Sequence, residues 1–156
     1  MMYVPFNEYY PEIAEKETRV VTIIGSSQWN LPPDGYAFLE MFCNEAGCDC
    51  RRVMFTVIAT GENIPVAVIA YGWEKKKFYV KWMGDSDPRF IKELIGPVLN
   101  MASQQSQLAS RLLELFKSVL MKDAQYIERV KKHYHMVREK VEGLKHNKKM
   151  RNISFH

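Results

Sequence analysis

Between residues 19 and 83 the chain sets out a series of β-branched and aromatic runs whose connections are short. A parallel crossover needs about a dozen residues or more, so these links favour antiparallel neighbours. Residues 19–24 (RVVTII) end at Gly25, and Pro32-Pro33-Asp34-Gly35 signals a turn. Residues 36–42 alternate large apolar side chains with others, as a half-buried strand does. Residues 51–60 (RRVMFTVIAT) read as a further strand, closed by Gly61-Glu62-Asn63. Residues 64–71 (IPVAVIAY) return, with Pro65 near the start, where a missing ladder donor does least harm. Lys75-Lys76-Lys77 reads as a polar hairpin tip and 78–83 (FYVKWM) as the strand that pairs back.

The pattern then changes to helix. Asp87-Pro88 pairs an N-cap with proline at the first helical position, and Gly96-Pro97 stops that helix. Residues 106–121 place Leu108, Leu112, Leu115, Phe116, Val119 and Leu120 at helical spacing. Asp123 can cap a helix running to Glu142, with Gly143 beyond it. The alternative is one long helix kinked at residues 121–123. The last helix carries a seam of Ile127, Val130, Tyr134, Val137, Val141 and Leu144, in steps of three and four. It packs either onto the chain's own core or across a homodimer. Strands first and helices second predict an α+β fold: an antiparallel sheet of about five strands followed by C-terminal helices. One domain would span residues 1–145, with the sheet over 19–83, helices over 87–143 and a flexible basic tail over 146–156.

All three cysteines fall within eight residues, Cys43, Cys48 and Cys50, spaced C-x4-C-x-C. They lie in the turn between two predicted strands, where Gly47 allows the chain to double back. Soft thiolates favour zinc, which takes four ligands in a tetrahedron. His133 is the best-placed fourth ligand, flanking the seam; His135, Asp49 and water are the others. A Cys3His site would staple the hairpin to the last helix. Plain buried thiols are the competing reading. A thiolate-rich closed site is usually structural, whereas catalytic zinc keeps a position for water. An iron–sulfur cluster would need a fourth cysteine from another chain, and the C-x-x-C of redox switches is absent.

An odd cysteine count with no distant partner predicts a reducing, cytoplasmic setting. No apolar run approaches the ~20 residues that span a bilayer, and residues 1–8 lack the basic and apolar regions of a signal peptide. Charge is unevenly spread: residues 101–156 carry twelve Lys and Arg against five Asp and Glu. Lys131, Lys132, Arg138, Lys140, Lys145, Lys148, Lys149 and Arg151 are therefore candidate phosphate contacts for a nucleic acid, the alternative being an ordinary solvated face. The acidic cluster Glu8, Glu12, Glu15 and Glu17 reads as surface charge. Phosphate-binding, hydrolase and metalloprotease motifs are absent.

Three stretches belong together by likeness: Tyr9-Tyr10-Pro11-Glu12-Ile13-Ala14-Glu15-Lys16-Glu17-Thr18-Arg19; Gly35-Tyr36-Ala37-Phe38-Leu39-Glu40-Met41-Phe42-Cys43; and Gly47-Cys48-Asp49-Cys50-Arg51-Arg52-Val53. They resemble a family of poorly characterised prokaryotic proteins, some of which carry a C-terminal SEC-C zinc motif. The C-D-C-R-R core is the most distinctive part. The resemblance implies that the three cysteines act as one unit. Residues 148–156 hold no cysteine, so that motif and any function tied to it do not carry over. The expectation is a zinc-binding accessory or interaction protein with an unidentified protein partner. A nucleic-acid-binding protein and a zinc hydrolase with an open metal position are the alternatives.

Overall fold

The computed structural model describes residues 2–25 and 28–154. The elements in chain order are β1 (Tyr3–Pro5), α1 (Phe6–Tyr9), α2 (Pro11–Glu17), β2 (Arg19–Ile23), β3 (Asp34–Cys43), β4 (Arg52–Ala59) and β5 (Ile64–Gly72). Then follow α3 (Lys76–Met83), α4 (Pro88–Ile95), β6 (Val98–Leu99), α5 (Ala109–Leu115), a π-helical turn (Phe116–Leu120) and α6 (Ala124–Ser154). Among the described residues the strands form one antiparallel sheet ordered β1-β3-β4-β5-β6, with β2 also pairing β3. The α+β architecture read from the sequence is the architecture observed.

The register decides which face is the core. Glu40 lies opposite Phe55, and Phe55 opposite Ile69, so Phe38, Glu40 and Phe42 share a face with Val53, Phe55 and Val57. Onto this face pack α1, the π turn and α6. Phe116 sits 4.9 Å from Phe55 and 6.1 Å from Phe38, ring to ring. Tyr126 and Tyr134 of α6 reach Phe55 and Phe42. The helical seam is spent here: Ile127, Val130, Tyr134, Val137 and Val141 are all buried within the chain, and only Leu144 is exposed. Five of the six seam positions thus pack on the chain's own core. Met121 N–H bonds to Phe116 O, the wider spacing of a π turn, and Asp123 caps α6 by accepting from Tyr126 N–H. The chain thus breaks between α5 and α6 at residues 121–123.

Two boundaries move. Residues 78–83 form a helix rather than a strand. Tyr79 is buried and Trp82 half-buried, three residues apart on one face, and Gly84 (φ +69°) ends the helix with its N–H on Val80 O. A six-residue apolar run fits either period, and here packing of Tyr79 under β5 selects the helix. The sheet instead gains β1 at its start and β6 at its end, outside the 19–83 span. The second boundary is Gly143: α6 runs through it to Ser154, so the segment read as a tail from residue 146 continues the helix. A Cβ added at Gly143 would meet nothing within 4 Å, and its ordinary φ leaves the helix intact. No helix among the described residues is long and apolar enough to cross a membrane.

Gly72 ends β5 where space is tightest: an added Cβ would lie 2.5 Å from both Leu94 O and the Tyr79 hydroxyl. Gly72→Ala must push α3 and α4 off the sheet. Phe116→Ala opens a cavity at the junction of β3, β4 and β5 and is expected to cost about 3–5 kcal/mol in urea unfolding. Gly72→Ala should also lower the urea midpoint, by overpacking worth about 1–3 kcal/mol.

Candidate metal centre

The β3–β4 connection, residues 44–51, carries the cysteines. Cys43 closes β3, paired to Tyr3 of β1. Asn44 N–H bonds to Met2 O, and Cys48 N–H to Glu45 O, which turns the loop back. Gly47 adopts φ +78°, a conformation that favours glycine. The three sulfurs converge to within 4.8 Å of one another, with Cys43 and Cys50 fully buried and Cys48 half-buried. Three thiolates on one zinc at ~2.3 Å sit about 3.8 Å apart, so a small contraction of the loop completes the corner of a tetrahedron. All three are free thiols.

A stripe of α6 holds this loop. Tyr134, Arg138 and Glu142 lie four residues apart and face it together. The Arg138 guanidinium donates to Glu45 O at 2.8 Å, to Cys48 O at 2.7 Å and to Cys43 O. Glu142 accepts from Gly47 N–H. The Tyr134 hydroxyl accepts from Arg51 N–H at 3.0 Å and donates to Asp49 at 3.2 Å. Arg51 takes φ +50°, held there by Tyr134 and by the Tyr79 hydroxyl on its carbonyl at 2.9 Å. Its guanidinium forks onto Asp49 and lies over the Phe78 ring. The Arg51 hydrogen bonds hold the Asp49 carboxyl below the usual carboxylate range.

Burial pushes all three thiols above their ordinary range. The Glu45 N–H and the charge of Arg138 only partly offset this at Cys43. A metal therefore displaces protons as it binds. Positive charge at the sulfurs comes from Arg138, which acts on Cys43. Arg52 is buried, and its guanidinium donates to Leu94 O, Glu93 O and the Tyr3 hydroxyl, all neutral acceptors. Tyr3 in turn lies opposite Cys43 on β3.

The histidine expectation is corrected. His133 does reach from α6 to the sheet, but its Nδ1 meets Glu40 at 2.7 Å and its Nε2 meets Glu17 at 2.7 Å. Both ring nitrogens are taken, and Phe6 stacks on the ring at 4.2 Å. His133 is no ligand in this arrangement. His135 is exposed, its ring edge-on to Tyr134, and Asp49 is tied to Arg51 and Tyr134. Among the described residues the donor group is the three cysteines alone. Glu17, read as surface charge, is thus part of a buried contact. Arg138, read as a phosphate contact, is the residue that orders the cysteine loop. Its i, i+4 spacing with Tyr134 and Glu142 was the available signal, a polar stripe beside the apolar seam. Lys131 pairs with Glu128 at 3.1 Å, while Lys132, Lys140, Lys145, Lys148, Lys149 and Arg151 are exposed along α6. Tyr79 and Lys81, read as residues of a strand, lie on α3 with Tyr79 buried.

Compared with known proteins, the chain matches no protein-family profile, and no curated protein or solved structure matches it significantly. The reading of the site rests on its geometry.

Arg138→Ala strips three carbonyls of a cationic donor and should cost about 2–3 kcal/mol in urea unfolding, with Arg138→Lys intermediate. A second expectation concerns His133. Burial alone would lower its pKa, but hydrogen bonds and charge from Glu40 and Glu17 outweigh it and the pKa is raised. Both nitrogens can donate only as imidazolium. The contribution is therefore complete below the unfolded value of about 6.5 and is lost as pH rises through the folded one. Urea midpoints should fall as pH rises above about 6.5, and His133→Gln should flatten that slope. A midpoint that climbs with pH over this range contradicts the imidazolium.

Proposed function

We propose that this chain is a cytoplasmic zinc-binding accessory protein whose metal is structural. The observation that carries the reading is the convergence of Cys43, Cys48 and Cys50 in a loop that α6, α3 and β1 all hold in place. Zinc here fastens the β3–β4 turn, and through Arg138 and Tyr134 the loop fastens α6 to the sheet. Three thiolates give the metal much electron density and leave any bound water a weak acid, which counts against a hydrolase. Function then lies in binding a protein partner.

A second reading has one observation in its favour. Lys145, Lys148, Lys149 and Arg151 are exposed on the part of α6 that runs beyond the buried seam, and Lys140 is exposed just before it. A nucleic acid bound there would show an affinity that falls steeply with salt, by about 0.9 log units per log unit of salt for each phosphate contacted.

Elemental analysis of untagged protein tests the leading reading. It should find about one zinc per chain, as one tetrahedral site requires. Cys48→Ser should lose the zinc and lower the melting temperature, because a ligand bound only by the folded state at a hundredfold above its Kd adds about 2.7 kcal/mol. Metal-free protein with three titratable thiols and an unchanged melting curve overturns it.

A further inference from the structure

The cysteine cluster supplies three corners of a tetrahedron, and no described residue supplies the fourth. The neighbouring donors are held elsewhere. Asp49 is forked by Arg51 and bonded by Tyr134. Glu142 accepts from Gly47 N–H and lies 3.8 Å from Arg138. His133 has a carboxylate on each nitrogen. The Tyr3 hydroxyl accepts from Arg52.

Access and charge narrow what can complete the site. Cys43 and Cys50 are sealed, so a fourth group enters beside half-buried Cys48. Three thiolates on a divalent zinc leave one net negative charge; a fourth leaves two. One guanidinium flanks the cluster: Arg138 lies across the Cys43 and Cys48 carbonyls, and its charge acts on Cys43. A cation held beside the sulfurs favours an anionic set of ligands over a neutral one.

We infer that the fourth position of this site takes a thiolate from outside the chain, and this rests on the zinc reading above. The thiol gives its proton to solvent, its sulfur bonds to the metal, and a bound water leaves. No electrons are transferred. A low-molecular-weight thiol and an exposed cysteine of another chain offer the same donor.

Cobalt(II) in place of zinc makes the coordination visible. The full chain is loaded with one equivalent of Co²⁺ and titrated with glutathione, with a blocked cysteine-containing peptide, and with acetate. The sulfur-to-cobalt charge-transfer absorbance should rise saturably by roughly one third as three sulfur donors become four, while acetate leaves it unchanged. Saturation by glutathione at lower concentration than by the peptide assigns a small thiol; the reverse order assigns a protein cysteine. A spectrum that acetate perturbs and thiols do not marks a water position for oxygen ligands and overturns the inference. One that nothing perturbs means the chain closes its own site and overturns it too. Failure to bind cobalt or zinc at all removes the zinc reading itself.

Discussion

Arg138 meets a problem that every long hairpin turn poses. The carbonyls of Cys43, Glu45 and Cys48 lie past the end of the β3–β4 ladder, which last pairs Met41 with Met54, and buried carbonyls need donors. One guanidinium, anchored on α6, serves all three. This is why three sulfurs can meet in a loop with no regular structure of its own. The grip depends on α6 being docked, and α6 is docked because its seam is buried on Phe42, Phe55 and Val57. Sheet packing and cysteine geometry are therefore one structural commitment. The Tyr134 ring packs on Phe42 while its hydroxyl holds Arg51, so a single residue belongs to both.

The same helix face carries a second polar contact one turn away from the loop. His133 bridges Glu40 of β3 and Glu17 at the end of α2, under the Phe6 ring. A histidine between two carboxylates satisfies a core position that an apolar residue could also fill, and gains from it a link among three elements distant in sequence. Arg129 adds a donor to Glu17 O. The N-terminal helices are thus tied to α6 by polar contacts as well as by the Phe6 ring.

The sheet and the helical half were legible because their signals are periodic and local: alternation in 36–42, β-branched runs in 51–60, and the three-four steps of the seam. The cysteine cluster was legible because rarity and spacing carry it. The error at 78–83 came from a run too short to distinguish periods, settled only by what Tyr79 packs against. Strand β1 was invisible because three residues show no alternation, and it exists only through pairing with 41–43 of β3. His133 was placed correctly on the inward side of α6, but sequence could not show that Glu17 and Glu40 would reach it before the thiols did. Arg138 was counted with the exposed cations because charge alone does not reveal direction. Its neighbours at i−4 and i+4 do, once the loop they face is known.

Arg52 is a buried cation among the Tyr3 hydroxyl and the Leu94 and Glu93 carbonyls. A protein that needed only packing at this position could use a long apolar side chain there at lower cost. What arginine adds is direction: its fork ties β4 to α4 and to Tyr3 of β1, and β1 pairs with Cys43 where the cysteine loop begins.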